Sequence, residues 1–171
     1  MTRNGFFTIR KRRNEMMKQQ VKHEQIEPVR KKLEVKLPAE DAFRLFTEGI
    51  NKWWPLVTHS VWGEGAESCY FEGWVGGRIV EVSKHGEESE WGKVLVWEPY
   101  TRVSFQWYPD RTPETAQEVT VMFTETASGS RLELIHTGWE TLGEQALEKR
   151  NGYVTGWDFV LGKYLDAADS Q

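Results

Sequence analysis

A chain of 171 residues with 39% hydrophobic and 28% charged side chains has the length of one domain and an ordinary soluble balance. No run approaches the roughly 18 apolar residues of a membrane span, and a single cysteine, Cys69, excludes an internal disulfide framework or a cysteine-based zinc cluster. The net charge of −4 is unevenly held, because residues 1–22 carry seven Lys/Arg against one acid, Glu15.

That basic head has no apolar run after its charges, so it is not a secretory signal. Residues 1–27 are expected to be a flexible leader, or in part sequence upstream of a start at Met16 or Met17. A nucleic-acid or membrane-surface arm, with Phe6, Phe7 and Ile9 as an apolar foot, is the alternative. The acidic remainder argues against nucleic acid as the main partner. Residues 28–171 are expected to form a single domain.

Val29 to Leu37 alternates apolar and charged residues and predicts a strand. Pro38 suits the first turn of a helix, Glu40 and Asp41 suit its positive end, and Ala42, Leu45 and Phe46 make its apolar stripe before Gly49. Residues 50–65, with Trp53-Trp54-Pro55, His59 and Trp62, are too aromatic for a solvated linker. Strands are then expected at 69–72, 78–83, 91–97, 101–108, 118–126 and 131–137, with a Ser128-Gly129 hairpin turn before the last. Three of them alternate clearly: Val103/Phe105/Trp107, Val119/Val121/Phe123 and Leu132/Leu134/His136 each share a face. From Thr141 to Ala168 the period changes. Tyr153, Trp157, Leu161, Tyr164 and Ala168 form one helical stripe. Gly152 and Gly156 lie beside it, each costing the helix about 1 kcal/mol relative to Ala. Close approach by another backbone or by a ligand is the usual compensation. A single long aromatic helix is thus available to cover one face of an antiparallel sheet.

The matching pieces run in order: Trp53-Trp54-Pro55, Trp74-Val75-Gly76-Gly77-Arg78, Gly92 to Pro99, Arg102 to Trp107, Val119 to Thr126, Ser130 to Gly138, and Gly156-Trp157. With this order and spacing, residues 29–165 resemble the helix-grip fold of the birch-pollen-allergen and START-like superfamily. Within it they most resemble the branch named after the activator of the heat-shock-protein-90 ATPase. The resemblance implies an α+β chain, β-α-α-β-β-β-β-β-β-α, with a curved antiparallel sheet around a long C-terminal helix and an internal apolar cavity. It implies activity less firmly, since the superfamily hosts lipid carriers, hormone receptors, polyketide cyclases and chaperone partners. It carries over no catalytic residue, and the basic head has no counterpart in it.

Nine Trp, eight Phe and five Tyr are the compositional anomaly. The resemblance puts Trp53, Trp54, Trp74, Phe105, Trp107, Phe123, Tyr153 and Trp157 at cavity or cavity-mouth positions. They either line a pocket for a flat hydrophobic ligand or fill the interior as plain core. His136 continues an inward face, where its imidazole either meets a ligand or is satisfied within the core. His59 is either an entrance gate or an exposed loop residue. Arg78 either holds a ligand carboxylate or pairs with a nearby acid. Gly76-Gly77 fits a turn or bulge, since no phosphate-cradle motif follows it. No carboxylate pair, nucleophile motif or metal-ligand spacing is convincing, and Cys69 reads as an inert buried thiol.

The expectation is therefore a cytoplasmic, non-enzymatic protein, with no cofactor and no metal, that binds a small hydrophobic or aromatic molecule between sheet and helix. It is expected to be a monomer or homodimer without membrane insertion. A chaperone-interacting module is the second reading. A cyclase-type enzyme relying on His136 is the third.

Overall fold

Seven antiparallel strands form one sheet in the computed structural model, which describes residues 25–171. In chain order they are β1 (Val29–Val35), β2 (Ala66–Phe71), β3 (Arg78–Ser83), β4 (Glu88–Glu98), β5 (Arg102–Trp107), β6 (Gln117–Thr126) and β7 (Gly129–Thr137). Their spatial order is β1-β7-β6-β5-β4-β3-β2. From β2 to β7 every neighbour is also the next strand in the chain, whereas β1 pairs with β7. The segment between β1 and β2 must therefore travel from one sheet edge to the other. It carries α1 (Ala39–Phe46) and α2 (Ile50–Trp53) on the way, and the long α3 (Ala146–Asp169) completes the chain. This is the α+β helix-grip order that the family resemblance implies. The basic head read in residues 1–22 lies outside the described residues.

Local chemistry explains the boundaries. The first N–H of α1, at Ala39, is capped by the Glu125 carboxylate of β6 at 2.6 Å. α2 stops at Trp53, because Trp54 precedes Pro55 and takes the extended conformation that proline imposes (ψ 127°). β4 starts earlier than predicted: Glu88, Ser89 and Glu90 are polar, yet they pair with Val82, Glu81 and Val80 of β3. α3 starts later than predicted, at Ala146. Gly143 (φ 56°, ψ −126°) interrupts the helical path, and Trp139–Gln145 is a 3₁₀ turn.

Register shifts between β3 and β4 at Ile79/Val80 and between β4 and β5 at Val94/Val96 are bulges that bend the sheet. Gly92 sits where the strands approach most closely; a Cβ there would stand 1.7 Å from the Gln106 carbonyl oxygen. The predicted faces are buried as read, with Val103, Phe105, Trp107, Val119, Val121, Phe123, Leu132, Leu134 and His136 all inward. From α3, Trp157, Leu161, Tyr164 and Ala168 pack down onto them, while Tyr153 is half-buried. Lys31 of β1 and Asp158 of α3 add an ion pair at 2.5 Å on the flank.

Candidate functional site

The space between sheet and α3 is filled at one end and hollow at the other. At the filled end Phe43, Phe46, Trp53, Phe123 and Tyr164 interlock, with ring centroids 5.2–5.9 Å apart. Their polar atoms are satisfied internally. The Trp53 indole N–H donates to the Leu45 carbonyl and the Tyr164 hydroxyl to the Ala42 carbonyl, both at 2.8 Å. Burial accordingly raises the Tyr164 phenol well above its ordinary pKa.

Toward the start of α3 a second aromatic group takes over. Trp54 contacts Trp91, Trp107 and Trp157 at 5.3, 5.6 and 6.2 Å between centroids. Beyond them opens a cavity of about 560 Å³, walled by Trp54, Trp107, Tyr153 and Trp157. Residues 58–61 and Pro109-Asp110 close its sides, and Glu148 and Lys149 stand at its rim. Gly152 and Gly156 supply the helix wall, and a Cβ built on either meets no atom within 4 Å. The two helix-weakening glycines of the sequence thus face open space. No backbone approaches either of them.

The aromatic loop that forms the opposite wall is held by a buried acid. Glu81 of β3 is fully buried, and its carboxylate accepts the N–H groups of Val61 (2.8 Å) and Trp62 (3.0 Å) and the indole N–H of Trp91 (2.9 Å). Trp54 itself donates to the His59 carbonyl at 2.7 Å. At the rim the His59 ring stacks on Phe159 of α3, 4.9 Å between centroids and 14° from parallel. Partial burial moves the His59 pKa down.

His136 sits behind the cavity wall. Its Nδ1 accepts the Trp157 indole N–H at 3.0 Å, and its ring packs against Trp139 (4.1 Å) and Tyr153 (4.9 Å). Burial, helped by the nearby Arg111 charge, pulls its pKa down to about 3. The imidazole is therefore neutral at physiological pH and positions two wall residues.

Of the residues the sequence singles out, the structure brings Trp54, Trp107, Tyr153 and Trp157 together around the cavity, with His136 behind them. Trp53, Phe105 and Phe123 lie in the packed core. Trp74 is elsewhere, 59% exposed in the turn between β2 and β3. Arg78 is paired with acids, Glu72 at 2.9 Å and Glu88 at 2.8 Å, which raise its pKa. Cys69 is buried, and desolvation pushes its thiol up to about 12. Sequence reasoning did not single out Glu81, although it shares Ile79's side in the alternation of β3. It also missed Pro109-Asp110, which only the fold carries to the cavity. Among the described residues no group of three metal-ligating side chains occurs, and no helix is long and apolar enough to cross a membrane.

Residues 36–168 match the family described as activator of Hsp90 ATPase homolog 1-like protein. The chain belongs to this family. Among solved structures it is similar to an anthrahydroquino-gama-pyrone synthase, Txn09, complexed with SUM. The two are 32% identical over 72% of this chain and 84% of that one, with a TM-score of 0.53. It also resembles a Mesorhizobium loti protein (20% identity, 85% and 98% covered, TM-score 0.60) and a Bacillus halodurans protein (17%, 83% and 96%, 0.61). These last two likenesses speak to the fold. No curated protein matches the chain.

Proposed function

We propose that the protein binds a flat, largely apolar small molecule in the cavity between the sheet and α3. The observation that carries this is the cavity itself: about 560 Å³, with aromatic walls and a helix face on which Gly152 and Gly156 stand between Tyr153, Trp157 and Val160. Ligand sites of small molecules span roughly 300–1,000 Å³ with this mixture of apolar walls and few polar groups. A ligand burying roughly 300 Å² of apolar surface gains about 7 kcal/mol before association costs of at least about 4 kcal/mol, so apolar burial alone holds it no more tightly than about millimolar.

The 32% identical relative favours a second reading, in which the same cavity also acts on what it binds. Its name describes a fused aromatic, oxygen-rich product. A cyclase-like role here would use the polar rim and Tyr153, since His136 is behind the wall and neutral. The chaperone reading draws on the family description alone.

The test is a titration of the protein with flavone and with anthraquinone-2-sulfonate, following indole fluorescence and melting temperature. Saturable quenching with a raised Tm is expected for at least one, and a change in ligand mass in the same samples would favour the enzymatic reading. No quenching and no Tm shift with either would contradict the proposal.

A further inference from the structure

Among the cavity's polar groups Tyr153 is held in an unusual way. The Trp107 indole N–H donates to its hydroxyl oxygen at 3.0 Å. The charge of the nearby Arg111 also acts on this phenol. Arg111 is itself fixed, donating to the Thr115 carbonyl at 2.7 Å and to Gln117 Oε1 at 2.8 Å. The Tyr153 oxygen thus accepts the Trp107 hydrogen bond, and among the described residues no protein acceptor receives its own proton. A hydroxyl in that position carries one O–H donor that has to find an acceptor elsewhere, and the side chain borders the cavity.

We infer that the Tyr153 hydroxyl donates a hydrogen bond to an oxygen on the bound molecule, so that the cavity selects flat aromatic ketones over the matching hydrocarbons. This rests on the reading of the cavity as a ligand site. Burial keeps the phenol protonated through the neutral range, as a donor must be. The adjacent guanidinium polarises the O–H and strengthens the bond it gives. Asp110 and Glu148 offset Lys149 and the nearby Arg111, so the cavity has no excess positive charge that would favour a carboxylate over a neutral carbonyl. The ring's position is secured from behind by His136 and Trp139, at 4.9 and 5.3 Å.

The test is equilibrium dialysis of the full chain against 9-fluorenone and fluorene, two tricycles that differ by the carbonyl oxygen. The wild type is expected to hold 9-fluorenone about tenfold tighter. Tyr153→Phe is expected to bring the two probes to equal affinity while leaving fluorene unchanged. Should that variant fail to fold because the Trp107 N–H loses its acceptor, Tyr153→Phe with Trp107→Phe removes donor and acceptor together and carries the same comparison. Equal binding of both probes by the wild type overturns the tyrosine's role and leaves the cavity reading standing. A ketone preference that survives in the variants overturns it as well. Binding of neither probe overturns the cavity reading, and this inference with it.

Discussion

A histidine ring has two nitrogens, and His136 has a partner for one of them. Nδ1 accepts from Trp157, which requires the neutral ring with its proton on Nε2, and Nε2 has no hydrogen-bond partner among the described residues. Charging this ring inside the aromatic layer means losing hydration, next to the Arg111 cation; hence the depression to about 3. The folded pKa lies below the ordinary value of 6.5. This group's contribution to stability is therefore complete above pH 6.5 and is lost as pH falls toward 3, because the unfolded chain takes up a proton that the folded one refuses. The slope is about 1.4 kcal/mol per pH unit in that window. Urea unfolding at pH 7 and pH 5 should show the wild type losing about 2 kcal/mol from this source. His136→Asn, whose amide oxygen stands in for Nδ1, should lose correspondingly less; equal pH sensitivity in the two proteins would contradict the assignment. The inward position of this histidine follows from its alternation with Leu132 and Leu134. Its partner does not, because Trp157 lies 21 residues away and is brought there by the crossing of α3 over β7.

At the scale of elements, the cavity exists because one loop is held off the helix. Residues 54–62 carry no regular structure that would stiffen them, and Glu81 supplies the missing order from β3. Two backbone N–H groups and one indole N–H converge on its buried carboxylate. Glu81→Ala leaves three buried donors unpaired and should destabilise the fold by about 3 kcal/mol, read as a lowered urea midpoint. It should also increase hydrogen exchange at Val61 and Trp62 specifically; unchanged exchange at those two amides would show that the carboxylate does not hold the loop. The element pattern itself was legible from periodicity, since β5, β6, β7 and the stripe of α3 each repeat at their own period. What was not legible was set by context. The acidic Glu88–Glu90 reads as a turn but pairs along β3. Gly143 cuts off the start of α3 with a backbone angle that helical periodicity does not reveal.

For the whole molecule, the division between filled and hollow interior is the outcome that composition alone left open. Twenty-two aromatic rings are enough to fill the interior. They fill it where α1 and α2 add Phe43, Phe46 and Trp53, and they leave space where Gly152 and Gly156 stand beside Tyr153 and Trp157 on α3. The glycine pair was visible in the sequence as a cost without a reason, and the space beside it supplies one. Trp74 shows the limit of carrying positions over by resemblance: a tryptophan in a family motif sits at the cavity only if the turn that holds it faces inward, and this turn faces solvent.

The central claim, that the glycine face of α3 is the wall of a ligand site, is tested most directly by refilling it. Gly156→Leu places a side chain in open space on the cavity side, whereas Gly162→Leu places one on α3 away from the cavity, also with nothing within 4 Å of its Cβ. Both replace a glycine in a helix and should leave the fold as stable or about 1 kcal/mol more so. Titrated with 9-fluorenone under indole fluorescence, wild type and Gly162→Leu should quench alike and Gly156→Leu should lose at least tenfold in affinity. Undiminished binding by a folded Gly156→Leu would contradict the account.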